Sequence, residues 1–123
     1  MKTREIPRKD WPEFFGEFSR RHEDWLVTVT VIDPIGGAQI EAREMPLAGM
    51  VADRRSGSIY VGLGRPVEHV VARPVRVQVE AEENGAERAI EIESRNGSKT
   101  IVEFRVSHPI EMVDGIAGQP VAG

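Results

Sequence analysis

Three histidines, His22, His69 and His108, carry the side chains of this chain best suited to proton transfer or metal binding near neutral pH. None stands at HxH, HxxxH or HExxH spacing, so a metal site would have to be assembled by the fold from distant segments. His69 lies in VEHVVAR on the strand face of Val67 and Val71. The reading preferred there is a partly buried imidazole with a hydrogen-bond partner, and the sharper one is a general base. Asp53, Arg54 and Arg55 form a charged turn able to hold an anion, although such turns commonly do no more than meet solvent. With His69 and Arg73 they make up the candidate ligand-binding set. The GLG at 62–64 has Val67 where a dinucleotide fingerprint needs its third glycine. No G-x-S-x-G or Walker A motif occurs, and the carboxylates between Glu80 and Glu93 alternate as the outer face of strands. Cysteine is absent, which removes thiol nucleophiles, thiolate metal sites and disulfides. No catalytic residue, metal ligand or cofactor is assigned, and the chain reads as non-enzymatic.

What must position these residues is one domain. A chain of 123 residues suffices for a single core without metal or disulfide, and its expected extent is 1–116, with a Gly-, Pro- and Ala-rich tail over 117–123. A net charge of -4 argues against general attraction to phosphate backbones or anionic lipid. The start MKTREIPRKDW has no apolar run of signal-peptide type, and no stretch is apolar enough to cross a bilayer. The expectation is a cytoplasmic protein without a membrane partner.

The segment RKDWPEFFGEFSRRHEDW predicts a helix over about 11–21. Asp10 and Glu13 stand as an N-cap and its first-turn acid, and Pro12 fits a turn whose amides have no helical partner. Trp11, Phe14, Phe15 and Phe18 then fall on one face. The opposite face mixes Glu13, Glu17 and Arg20, unlike the basic face of a membrane-surface helix. The stripe is therefore expected to close one end of the protein's own sheet.

After residue 24 the apolar period changes from helical to alternating. WLVTVTVI, AQIEAREM, SIYVGLG and VEHVVA read as strands, with a bend at Pro46 and Gly49. Two Asn-Gly pairs then divide three strands into a meander. A two-residue loop at Asn84 and Gly85 sets Val79 opposite Ile90, Val77 opposite Ile92 and Arg76 opposite Glu93. A three-residue loop over 95–97, with Gly97 left-handed, sets Ile90 opposite Val102, Ile92 opposite Thr100 and Glu93 opposite Lys99. The inner face then holds Val75, Val77, Val79, Ile90, Ile92, Val102, Phe104 and Val106. The fold class is mainly β (α+β): an N-terminal amphipathic helix capping a strongly bent antiparallel barrel or rolled sheet of six to seven strands, spanning about 25–108.

The runs REIPRKDWPEFF, HEDWLVTVTV, LAGMVAD, RPVRVQVE and AIEIESRNGSKTIVEFR together resemble a family of short bacterial proteins known as a domain of unknown function, over residues 2 to about 116. That resemblance transfers no catalytic residue. Function is therefore expected through protein contacts or self-association, given the many short strands with edges to cover. The alternatives are an Sm-like or SH3-like nucleic-acid binder using Arg4, Arg8, Lys9, Arg20 and Arg21, against which the acidic balance counts, and a small-ligand barrel with His69 and Arg73 at its mouth.

Overall fold

The computed structural model describes residues 2–64 and 68–105. Alternation becomes strand wherever the sequence carried it. The strands are β1 Lys2–Ile6, β2 Leu26–Asp33, β3 Gly37–Pro46, β4 Gly49–Ala52, β5 Ile59–Gly62, β6 Glu68–Val71, β7 Pro74–Ala81, β8 Glu87–Ser94 and β9 Lys99–Arg105. One helix, α1 Trp11–His22, follows a single 3-10 turn, Arg8–Asp10. The strands form a six-stranded sheet in the order β1-β7-β8-β9-β2-β3 and a three-stranded sheet in the order β4-β5-β6. All pairings are antiparallel. No closed barrel forms among the described residues, because β1 and β3 end the larger sheet and β4 and β6 the smaller. His108, Val106, Val67 and the tail 117–123 lie outside the described residues.

The count of nine described strands exceeds the expected six to seven partly because of β1. Its five residues pair with β7 from Lys2 opposite Ala81 to Ile6 opposite Val77. Only Ile6 is buried, so β1 is held by its backbone ladder and left no alternation to read.

The meander has the expected registers: Val79 faces Ile90, Val77 faces Ile92, and Ile92 faces Thr100. Both Asn-Gly loops are built alike, and this corrects the first one. Glu82 N–H donates to the Ala86 carbonyl at 2.8 Å, which closes a three-residue loop over 83–85 rather than a two-residue one, with Gly85 at φ +92°. The extra residue is absorbed by a register shift between Glu80 and Ala81, opposite Arg88, so the core pairs are unchanged. A second shift, between Pro74 and Arg76, turns Val75 out of the expected inner face and leaves it 47% exposed.

At the start of α1 the expected N-cap is also corrected. Asp10 has φ -96° and ψ -3° and makes no side-chain cap. The preceding 3-10 turn places it in helical backbone, whereas a capping side chain needs an extended one. Trp11 instead ties the helix down, its indole N–H donating to the Ile6 carbonyl at 2.9 Å.

The aromatic stripe is spent inside the molecule. Trp11, Phe15 and Phe18 are buried, and Phe14 is half-buried beside them. Phe18 meets Phe104 of the larger sheet edge-on at 5.0 Å, while Ser19 bonds both backbone groups of Met50 in the smaller one. The helix thus joins two sheets over one core, each buried Phe contributing about 1.5–3 kcal/mol.

Candidate functional site

Two surface features stand out, and each follows from local chain geometry. The first is a groove of about 280 Å³ between the start of α1 and the turn joining β4 to β5. On one side it is lined by Arg8, Lys9, Trp11 and Pro12, on the other by residues 52–57. The β4–β5 turn is fixed from within: Asp53 Oδ2 accepts from the Ser56 hydroxyl at 2.7 Å and the Ser56 amide at 2.9 Å. These bonds, the hydroxyl's foremost, hold the Asp53 carboxyl below the usual range. Gly57, at φ +81°, closes the turn with its amide on the Asp53 carbonyl at 2.8 Å. A Cβ at Gly57 would stand 3.1 Å from Arg8 Nη2, so the glycine also makes room for that guanidinium. Arg8 lies over the Trp11 ring at 5.0 Å and donates from Nη1 to the Pro74 carbonyl at 3.3 Å.

The structure therefore brings Asp53, Arg54 and Arg55 together with Arg8 and Lys9, and leaves His69 and Arg73 off the lining of that groove. His69 sits on β6 opposite Val61, half-buried, its pKa lowered by burial against the raising effect of Glu41. Arg73 has a left-handed backbone, φ +52°, and its carbonyl accepts from the Arg95 amide at 2.9 Å.

His22 is the buried polar residue that sequence spacing could have flagged. It continues the row of Trp11, Phe15 and Phe18 by one more turn. Its ring stacks on Phe18 at 4.1 Å and meets Trp25 and Phe104 edge-on. Nδ1 lies 2.9 Å from the Phe18 carbonyl, which can only accept, so that nitrogen carries the proton. Nε2 faces Glu87 Oε1 at 3.4 Å, and the same carboxylate takes Arg21 at 3.0 Å and Arg4 at 3.8 Å. Burial lowers the His22 pKa and outweighs the raising effects of the Phe18 carbonyl and Glu87. The hub ties β1 and α1 to the start of β8. Among the described residues neither His22 nor His69 bonds a hydroxyl, and no group of three or more His, Asp or Glu could hold a metal ion.

The second feature is the β2–β3 hairpin. Residues 32–41 are all exposed, and they include Ile32, Ile35 at 94% and Ile40. Asp33 shapes the tip by accepting from the Ile35 amide at 2.8 Å. Among the described residues β3 pairs only with β2, so its other edge is free. The inner half of β3 is irregular: register shifts in its pairing with β2 flank Val29, Glu44 has φ +49°, and its amide donates to Thr28 Oγ1 of β2 at 3.1 Å. No described helix is long and apolar enough to cross a membrane.

Residues 2–112 match a family described as a family of unknown function (DUF5335). An uncharacterised protein of Aquifex aeolicus (strain VF5) is 26% identical over 110 residues, covering 89% of this chain and 98% of that one. No solved structure matches. A match over this much of its length places the chain in that bacterial family of unknown function, DUF5335.

Proposed function

We propose that the domain is a non-enzymatic protein-interaction module that adds a strand at the free edge of β3, with a second copy of the chain as its partner. The observation that carries this reading is the unequal treatment of one strand edge. Over its inner half β3 has Glu41, Arg43 and Glu44 and the left-handed backbone at Glu44, devices that blunt an edge against pairing. Over 37–40, Gly37, Ala38, Gln39 and Ile40 carry no charge and lie exposed beside Ile32 and Ile35. An antiparallel pairing of this stretch with itself about a two-fold axis opposes no like charges. It would run two six-stranded sheets into one and cover apolar side chains that water now meets.

Sedimentation equilibrium over a wide concentration range tests the reading. The full chain is expected to dimerise, and Ile40→Lys to return it to monomer with its circular dichroism unchanged, since Ile40 lies outside the core cluster and is 46% exposed. A wild-type chain that stays monomeric throughout, or a variant that dimerises equally well, overturns it.

A further inference from the structure

Of the fifteen described basic residues, six pair with a carboxylate and nine do not; of those nine, Lys2, Arg20, Arg43, Arg73 and Arg95 stand away from the groove beside α1 and the other four line it. Arg4, Arg21, Arg76, Arg88, Lys99 and Arg105 each face a carboxylate. Arg8, Lys9, Arg54 and Arg55, which line the groove beside α1, have no ion pair with any described carboxylate. The acid on that lining, Asp53, is occupied by Ser56. Four cations and one committed carboxylate thus line a single groove in a chain whose net charge is -4. Concentrating like charge in a concave site is unfavourable without a counter-ion.

Arg8 supplies the fixed element. Its guanidinium is held by the Trp11 face, by the Pro74 carbonyl and by the space that Gly57 leaves, and spends one Nη1 donor on the protein. The remaining donors form a pre-set fork of the kind that matches two oxygens of a tetrahedral anion. Lys9, Arg54 and Arg55 are exposed and free to close from both rims.

We propose that this groove binds a phosphate monoester dianion, with Arg8 as the fixed guanidinium and Lys9, Arg54 and Arg55 closing over the remaining oxygens. A dianion fits better than a single carboxylate because the uncompensated charge of the lining exceeds one. The groove volume of about 280 Å³ leaves space for the group the phosphate is attached to. That group belongs either to a small metabolite or to a phosphorylated side chain. The site is separate from the β3 edge, and a failure of either proposal leaves the other standing.

The test is an amide and indole NMR titration of the full chain with phenyl phosphate, inorganic phosphate, a phosphoserine peptide and dimethyl phosphate. Monoesters are expected to give saturable shifts at Ser56, Gly57 and the Trp11 indole. The Arg54→Gln/Arg55→Gln variant should lose about tenfold or more in affinity, and Arg8→Lys should lose affinity despite keeping its charge. Arg20→Gln, on the exposed side of α1, should change nothing. Tighter binding of the phosphopeptide than of phenyl phosphate assigns the ligand to a modified protein, the reverse order to a free metabolite, and both support the site. Absence of saturation, an equal loss with Arg20→Gln, or dimethyl phosphate binding as well as the monoesters overturns it.

Discussion

The aromatic face of α1 and the β2–β3 hairpin are both apolar surfaces, and they meet opposite ends. Phe15 and Phe18 are fully buried, whereas Ile35 is 94% exposed. Side-chain type does not separate them; position in the topology does. The helix has partners on two sides, Phe18 meeting Phe104 of one sheet and Ser19 bonding Met50 of the other. The hairpin runs past the ladder beside it: the β2 pairing with β9 ends at Ile32 opposite Lys99, and beyond that β2 and β3 pair only with each other, with Pro34 of the turn beside Gly97. Stability is thus concentrated where α1 joins the sheets, and apolar surface is left exposed where the sheet runs out.

The largest effect that could break this division is at Phe18. Phe18→Ala removes a fully buried ring stacked on His22 and edge-on to Phe104 and should cost about 3–5 kcal/mol in denaturant unfolding. A loss below about 1 kcal/mol would mean that the helix is not part of the core. Ser19→Ala sharpens the same point with a smaller change. Its hydroxyl accepts from the Met50 amide at 2.7 Å and donates to the Met50 carbonyl at 3.0 Å, and Met50 is buried. Leaving both unpaired should cost about 1–3 kcal/mol and raise hydrogen exchange in β4 before β8.

Much of the stable region was legible because local and tertiary signals agree there. The stripe from Trp11 to Phe18 and the alternation on either side of two Asn-Gly pairs each fix a face, and a wrong register would have put Glu103 in the core. The first loop was misread in length because a bulge at Arg88 compensates for it, and compensation of that kind leaves no trace in the apolar pattern. Strand β1 has one buried residue, so nothing but its pairing with β7 defines it. In the groove, the Asp53 to Arg55 turn was readable as local chemistry. Arg8 was readable only as one cation of a nucleic-acid alternative, because only the fold brings it against Gly57, and His69 and Arg73 do not line that groove.

A pH scan distinguishes the two regions without altering packing. Burial holds the folded-state pKa of His22 below its ordinary 6.5, so the unfolded chain binds the proton more readily. The stabilisation is complete above pH 6.5 and declines as pH falls from there toward the folded value. His69 is shifted in the same direction, so the measurement belongs in a His69→Gln background. The melting temperature is expected to fall between pH 7.5 and 5.5, and His22→Gln should flatten that slope. An unchanged slope would assign the acid sensitivity to carboxylates instead.

The smallest expected effect on stability is at the hairpin tip. Ile35 lies outside the core cluster, so Ile35→Ser removes almost no buried area and should move the unfolding free energy by no more than about 0.5 kcal/mol. The tip conformation survives the change because it depends on the residue 35 amide reaching Asp33, and Ser keeps that amide. If the exposed isoleucines serve self-association, the same variant should weaken the dimer while leaving the monomer's melting temperature in place. A measurable loss of monomer stability would instead mean that Ile35 itself packs on the domain in solution, and the contrast between the buried helix face and the exposed hairpin isoleucines would fail.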